Sequence, residues 1–199
     1  MRKSKTLTGT INVAFFGRMV AHKRPDKLVK EWQKLTKIPG FSPARLDLYG
    51  GDYGTGMINQ IRDMIKRSGL ESEITCHGRY SLKELPGILS RTDLVVLPSE
   101  FEGLPLSLVE AMQHGVPIVA TSAGGCEELA DANSDAIITP GTGWEDFVVG
   151  FAAMMRRVRN SEVNSVRLHA WTERHYGFER VSEAFKHILT EHTDCSTNQ

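Results

Sequence analysis

The stretch DLVVLPSEFEGLPLSLVEAMQHGVPIVAT, Asp93–Thr121, contains two short apolar runs separated by a loop and a helix pattern. The first run ends at Pro98. Pro105 opens the helix pattern, since the first turn of a helix tolerates a residue without an N–H group. The second run, which begins at Val116, is apolar at successive positions, as expected for a strand buried on both faces of a parallel sheet. The stretch therefore predicts a strand, a helix and a second strand.

The same alternation continues along most of the chain, and after Pro140 only helix patterns follow. Strands that alternate with helices predict a doubly wound α/β sheet, here of about six strands, with a helical C-terminal extension. We assign this domain to residues 11–192, with tails at 1–10 and 193–199. The apolar runs are INVAFF, RLDLYG, EITCHG, DLVVLP, VPIVAT and DAIITP, and the helices expected between them are Pro25–Thr36, Gly56–Ser68, Leu82–Ser90, Leu106–His114 and a short one near Cys126–Ala130.

Composition and charge exclude several classes of protein. With 40% hydrophobic and 24% charged residues, the chain of 199 residues is typical of a soluble globular domain. Lys and Arg total 24, as do Asp and Glu, so no overall field favours nucleic acid or an acidic membrane. The basic run Met154–Asn160 is interpreted as a solvated face, so membrane contact would be peripheral at most.

The cysteines and the N-terminal residues bear on the compartment. Cys76, Cys126 and Cys195 are far apart and lack metal-ligand spacing, which predicts a reduced protein without a structural zinc site. The apolar run Ile11–Phe16 is too short for a signal sequence or a membrane span. We therefore expect a cytoplasmic protein, either free or peripheral at the inner membrane face.

Glycines cluster in YGGDYGTG, Tyr49–Gly56, where an apolar run gives way to a helix pattern. A dinucleotide fold places its phosphate loop at such a position, but neither G-x-G-x-x-G nor G-x-x-x-x-G-K-[ST] fits this stretch. An NAD(P) site is therefore disfavoured, and the stretch predicts a turn near the ligand edge of the sheet.

Two cations follow the first apolar run, in GRMVAHK, before Pro25 opens a helix. Arg18 and Lys23 can both lean over the end of the first strand, where they could neutralise a pyrophosphate. Simple solvation of both side chains at the surface fits the spacing equally well.

Glu102 and Glu110 lie on opposite sides of Pro105, so the first belongs to the loop and the second to the helix. Free N–H groups in the first turn of this helix, near Leu106 and Ser107, form a potential anion site. Carboxylates flanking an anion site suit the hydroxyl groups of a ligand rather than its phosphates. Alternatively, Glu102 interacts with the helix dipole and Glu110 lies on a solvated face.

Five motifs, in order, resemble those of retaining GT-B glycosyltransferases, particularly the large family 4 that transfers hexoses from nucleotide sugars. The resemblance runs from about Val13 to about Leu189. Glu102-x7-Glu110 is similar to the E-x7-E motif, GRMVAHKRPDKLV to the GR-x4-K unit, LYGGDYG to the glycine turn, LPSEFEGLPLSLVEAMQHGVPIVATSAGGCEEL to the longest signature, and FERVSEAFKHIL to the closing aromatic helix.

The resemblance implies a role for each matching residue. Arg18 and Lys23 would clamp the diphosphate, Glu110 would bind the ribose, and Glu102 would bind hydroxyls of the transferred sugar. Glu102, Arg18 and Lys23 are thus the implied catalytic residues. The GRYS loop, with Arg79 and Tyr80, would hold the base, and Ala123–Gly125 would line the same cleft. The implied donor-binding residues are Gly17, Arg18, Lys23, Arg79, Tyr80, Gly103, Leu104, Pro105, Leu106 and Glu110.

The resemblance also implies a fold and a substrate. The chain would be one Rossmann-like half of a GT-B fold and would act as a hexosyltransferase in polysaccharide biosynthesis, with a glycan or lipid-linked acceptor. No metal or other cofactor is implied, because Arg18 and Lys23 already supply positive charge. The donor would be a nucleoside-diphosphate sugar such as a UDP- or GDP-hexose, and the motifs leave the choice between them open.

Two features depart from the family pattern. Pro105 removes a backbone N–H that many relatives direct at the sugar, and DANSDAIITPGT replaces the usual turn before the last strand. The chain also resembles only the donor-binding half of such enzymes. An alternative is therefore a donor-binding module or split-transferase subunit that is inactive without an N-terminal acceptor domain or a partner. An apolar patch facing the cleft would indicate a partner subunit, whereas a polar, well-capped surface at the strand ends would indicate truncation of a fused chain.

Overall fold

The computed structural model describes residues 9–132 and 135–193. These residues form six strands, seven α-helices and two 3-10 helices, at Ala21–Lys23 and Gly124–Ala132. In chain order the strands and α-helices are β1 Ile11–Phe16, α1 Pro25–Leu35, β2 Ala44–Tyr49, α2 Met57–Arg67, β3 Ile74–Gly78, α3 Leu85–Leu89, β4 Leu94–Leu97, α4 Leu106–Gln113, β5 Ile118–Thr121, β6 Ala136–Thr139, α5 Trp144–Arg159, α6 Ser165–Tyr176 and α7 Phe178–Thr193.

The strands form one parallel sheet in the order β3-β2-β1-β4-β5-β6. This arrangement confirms the predicted doubly wound sheet. Successive strands run outward from β1 in one direction and from β4 in the other, so the two central strands define the point where ligands of such folds bind. The loops that follow β1 and β4 therefore lie side by side at the carboxyl edge of the sheet.

Apolar periodicity explains why these segments adopt their structures. Every residue of β4 and β5 is buried, as their uninterrupted apolar sequences predicted. In α1, Leu28, Val29, Trp32 and Leu35 form the buried face at helical spacing. α3 begins at Leu85 rather than at Leu82 as expected, because a turn precedes it in which the Glu84 carboxylate accepts hydrogen bonds from the N–H and hydroxyl of Ser81.

The basic run at the end of α5 is only in part the solvated face that its sequence predicted, since Arg156 is exposed but two other arginines make specific contacts. Arg157 donates to the fully buried Asp135 carboxylate at 2.7 Å. Arg159 donates to the carbonyl oxygens of Gly40 and Pro43 at 3.1 and 3.2 Å. Both guanidiniums thus satisfy acceptors elsewhere in the domain, because buried carboxylates and turn carbonyls need donors.

The last strand forms in spite of the unusual sequence before it. β6 pairs in parallel with β5 from Ala136 to Thr139.

In the described part of the chain, Cys76 and Cys126 are buried free thiols, and burial raises the pKa of Cys126 to about 11. Cys195 and most of the two predicted tails lie outside the described residues. None of the helices in the described ranges has the length and hydropathy needed to cross a membrane.

Candidate functional site

Backbone hydrogen bonds join the loops that follow the central strands. The N–H of Glu100, after β4, donates to the carbonyl of His22, after β1, at 2.7 Å. On the other side, the N–H of Met19 donates to the carbonyl of Gly51, after β2, at 2.9 Å. The loops after β1, β2 and β4 therefore form one continuous surface, on which side chains distant in sequence become neighbours.

Lys23 and Glu102 meet on this surface. The Lys23 Nζ atom lies 2.5 Å from Oε1 of Glu102, and the two side chains are only 13% and 8% exposed. The Ser99 hydroxyl donates to the same carboxylate oxygen at 2.6 Å. Sequence reasoning placed both charged residues at the strand ends but did not predict that they would form an ion pair, and it assigned no role to Ser99.

Arg24 is a further residue that sequence reasoning missed. Its backbone is left-handed, with φ of 55°, at the start of α1. The guanidinium donates to the Glu100 carboxylate at 2.7 Å and to the Thr142 carbonyl at 2.6 Å. It thereby fastens the loop after β1 to the loops after β4 and β6. The only available signal was its position beside Lys23 in a cation-rich loop.

Two glycines after β5 allow a close approach to the loop that carries Glu102. A Cβ atom on Gly124 would lie 2.0 Å from the Glu102 carbonyl oxygen, and one on Gly125 would lie 2.5 Å from the Gly103 carbonyl oxygen. Larger residues would displace this loop. The Ala123–Gly125 stretch therefore packs directly against the backbone next to Glu102.

Glu110 lies in α4, whereas Glu102 lies in the loop before this helix, as predicted from Pro105. Burial raises the pKa of the Glu110 carboxyl, and the nearby His114 partly opposes this effect. Burial also raises the pKa of the Tyr80 phenol, and the negative charge of Glu110 raises it further. The loop after β3 and α4 thus bring Tyr80 and Glu110 close enough to interact.

The raised pKa of the Glu110 carboxyl leads to a testable prediction about the stability of the fold. Because its folded-state pKa is raised, the ionised carboxylate destabilises the fold above that pKa, and the penalty disappears as the pH falls toward the ordinary value of 4.5. We expect Glu110→Gln to raise the free energy of unfolding at pH 7 by less than about 1 kcal/mol, since solvent screens a half-buried group. Urea unfolding at pH 7 and pH 4 would measure the difference, which should vanish at the lower pH.

Glu84 is the matched control for this experiment, because its pKa shifts in the opposite direction. Hydrogen bonds from the Ser81 backbone and side chain lower the pKa of the Glu84 carboxyl. Its ionised form therefore stabilises the fold above its ordinary pKa, and this contribution is lost as the pH falls through its folded pKa. Glu84→Gln should lower stability at pH 7, and the same sign for both variants would contradict the assignment.

A cavity of about 410 Å³ opens at the ends of β1, β2 and β3. It brings together four of the predicted donor-binding residues, namely Gly17, Arg18, Arg79 and Tyr80. The rest of its lining consists of Gly50, Gly51, Tyr53 and Leu82, none of which is among the predicted donor-binding residues. The predicted residues Leu104 and Leu106 instead project their side chains into solvent beside Glu102.

The described part of the chain contains no group of three or more His, Cys, Asp or Glu residues that could hold a metal ion. The absence of a cofactor remains a prediction. A strand-end surface at the centre of a doubly wound sheet, with fixed cations beside carboxylates, is suited to an anionic ligand that also carries hydroxyl groups.

Comparison with known proteins identifies the family. Residues 10–159 match the family described as "Glycosyl transferases group 1", so the chain belongs to this family. A D-inositol 3-phosphate glycosyltransferase of Rhodococcus erythropolis is 28% identical over 142 residues, which cover 70% of this chain and 32% of that protein. A mannosylfructose-phosphate synthase of Agrobacterium fabrum is 32% identical over 118 residues, which cover 57% of this chain and 26% of that protein.

Solved structures agree with the predicted fold. Anabaena HepE in complex with UDP-glucose matches 92% of this chain and 49% of its own, with a TM-score of 0.77 and 20% identity. A glycosyltransferase from Rickettsia africae matches 97% of this chain and 50% of its own, with a TM-score of 0.79 and 13% identity. At these identities the likeness concerns the fold alone, and it confirms a Rossmann-like half of a GT-B fold. The chain spans between about a quarter and a third of the length of the curated relatives above and about half of these solved chains.

Proposed function

We propose that this chain is the donor-binding domain of a retaining glycosyltransferase that transfers a hexose from a nucleoside-diphosphate sugar to a glycan or glycolipid acceptor. The observation that carries the proposal is the Lys23–Glu102 pair at the centre of the strand-end surface. It places a fixed cation, suited to a phosphate, in contact with a carboxylate, suited to sugar hydroxyls. A nucleotide sugar has both kinds of group at adjacent positions.

Each group has a chemical role in this proposal. When the bond between the sugar and the diphosphate breaks, negative charge develops on the leaving diphosphate, and Arg18 and Lys23 stabilise it electrostatically. The backbone from Gly103 to Leu106 meets the sugar and the phosphates. Glu102 binds hydroxyls of the hexose and Glu110 binds the ribose. Because the two cations supply positive charge at the leaving group, this proposal needs no metal.

The surface around this site supports the need for a second domain or subunit. Several loops on the strand-end side of the sheet, together with the start of α4, expose large apolar side chains to solvent. These side chains are Tyr53, Leu82, Phe101, Leu104 and Leu106. An apolar surface of this kind favours a protein partner over open solvent. We therefore propose that transfer requires an acceptor domain or partner subunit on this side.

We also propose that the whole protein is a cytoplasmic enzyme of polysaccharide biosynthesis, either free or peripheral at the inner membrane face.

Calorimetry tests the donor class and the role of Glu102 together. We expect UDP or GDP and the corresponding hexose conjugate to bind, whereas NAD(H) does not. Glu102→Ala should remove most of the extra affinity that the hexose provides and should change the affinity for the bare nucleotide less, because Glu102 binds sugar hydroxyls in this proposal. Binding of NAD(H) without UDP or GDP would overturn the donor class, and equal losses for nucleotide and conjugate would overturn the role of Glu102.

A further inference from the structure

We infer that Arg79 selects guanine as the base of the donor, so that the site takes a GDP-hexose in preference to a UDP- or ADP-hexose. This inference rests on the proposed function and names the nucleotide that it leaves open. The observations that carry it are the position of Arg79 in the strand-end cavity and the contacts that hold its guanidinium there.

The strand order separates two parts of the cavity lining. Gly17 and Arg18 follow β1, beside the proposed diphosphate site, whereas Arg79 and Tyr80 follow β3, and β2 lies between these two strands. Tyr53 lines the same cavity. Aromatic faces stack with nucleobases. A nucleotide whose phosphates lie at Arg18 would therefore place its base among Tyr53, Tyr80 and Arg79.

In the described part of the chain, the contacts that position the Arg79 side chain involve an aromatic ring and a glycine, not a carboxylate. The central carbon of its guanidinium lies 4.6 Å from the centre of the Tyr53 ring, in a cation–π contact. Its Cγ and Nε atoms lie over Gly51, where an added Cβ would come within 3.0 and 2.7 Å of them. A guanidinium held over a ring face keeps its N–H groups available for hydrogen bonds, and its planar fork suits two adjacent acceptors.

The bases differ in whether they offer two adjacent acceptors to the pair of parallel N–H groups of the guanidinium. Guanine presents two neighbouring acceptors, O6 and N7, which an arginine can bind with two parallel hydrogen bonds. Adenine places its N6 amino donor beside N7, and uracil flanks its O4 acceptor with the N3–H donor. In adenine one N–H of the fork would face another donor, and in uracil it would face either the N3–H donor or the C5–H group. Neither base therefore accepts hydrogen bonds from both N–H groups of the fork. Arg79 therefore favours guanine on donor and acceptor chemistry alone.

An acceptor for the other edge of guanine lies in the adjoining cavity. This second cavity, of about 400 Å³, shares Arg79 and Tyr80 with the first and is also lined by Glu84. Ser81 orients the Glu84 carboxylate through two hydrogen bonds of 2.8 Å. Guanine carries donors at N1 and N2, which suit a carboxylate. The loop after β3 thus supplies a guanidinium and a carboxylate, the pair of groups that guanine needs.

The test compares the affinities of GDP, UDP and ADP by calorimetry on the full chain and on Arg79→Lys, which keeps the charge but lacks the fork. We expect GDP to bind the unaltered protein tightest, and Arg79→Lys to weaken GDP binding by roughly five- to 150-fold, as for the loss of a bidentate base contact, with little effect on UDP. Gly51→Ala should act in the same direction, because the new methyl group would displace Arg79 without removing it. Arg67→Ala, on the exposed end of α2, is the control for loss of a distant positive charge.

The outcomes separate the two proposals. If UDP or ADP binds tighter than GDP, or if Arg79→Lys weakens all three equally, the selection of guanine is wrong and the donor-binding function stands. If none of the three binds, the proposed function fails and this inference fails with it. Thermal melting of each variant without ligand shows whether the variant is folded, and a folded Arg79→Lys protein with an unchanged preference for GDP also contradicts the role of Arg79.

Discussion

Lys23→Met is expected to lower the free energy of unfolding by about 3 kcal/mol, because it leaves the Glu102 carboxylate without its counter-ion. The two side chains form an ion pair at 2.5 Å and are almost entirely shielded from water. Ser99 donates one hydrogen bond to the same carboxylate oxygen, which reduces the loss but does not neutralise the charge. Urea unfolding at pH 7 would measure the change.

A double variant shows whether the missing counter-ion is the cause. Lys23→Met combined with Glu102→Gln removes both charges, and we expect it to recover most of the lost stability while nucleotide-sugar binding stays weak. Lys30→Met is the matched control: Lys30 pairs with Asp26 at 2.7 Å, but its side chain is 58% exposed, so the loss should be no more than about 0.5 kcal/mol. A double variant as unstable as Lys23→Met alone would indicate that Lys23 stabilises the domain through packing.

Gly50→Ala is expected to have the second large effect, a loss of more than about 4 kcal/mol, which only a few mechanisms produce. Gly50 follows β2 with φ of 147°, a conformation that favours glycine. A Cβ atom at this position would lie 1.7 Å from the carbonyl oxygen of Gly17. The ends of β1 and β2 would have to separate, which would also open the cavity lined by Arg18.

Substitutions at two other glycines distinguish the steric clash of an added Cβ atom from the backbone strain of a positive φ angle. Gly54 has φ of 92° with no atom within 4 Å of an added Cβ, so Gly54→Ala should lose only about 1–2 kcal/mol from strain. Gly87 lies within α3 with equally open space, and Gly87→Ala should gain about 0.5–1 kcal/mol from helix propensity. Chemical unfolding of the three variants should give this order, and similar losses for Gly50→Ala and Gly54→Ala would rule out the clash as the cause.

Much of the fold could be predicted because it depends on local patterns. Each apolar run became a strand of the sheet within about two residues of its predicted ends. In β4 and β5 the reason is burial on both faces, which demands uninterrupted apolar sequence, whereas in β2 and β3 buried residues alternate with exposed ones. The break at Pro105 separated the Glu102 loop from the Glu110 helix for a reason visible in the sequence. The start of α3 was placed too early because the turn made by Ser81 and Glu84 competes with the first helical turn.

The roles of several charged residues could not be predicted in this way. The basic run that contains Arg157 and Arg159 is typical of a solvated surface. In the structure, however, both side chains donate hydrogen bonds to acceptors that are distant in the chain, a buried carboxylate and a turn carbonyl oxygen. Arg24 reaches the Thr142 carbonyl, which is 118 positions away. A charged residue in a sequence shows that a partner or water is required, but the partner depends on which elements pack together.

The sequence by itself determined the alternation of strands and helices, the position of the charged loops at the strand ends, and the separation of the two glutamates by Pro105. Only the tertiary structure decided that Lys23 pairs with Glu102, 79 positions away, and that Arg79 lies over Gly51 and Tyr53. The physical reason is that burial patterns and turn preferences act over a few residues. The contacts of the site depend on the strand order, which brings β1 beside β4, and on glycines that let neighbouring backbones touch.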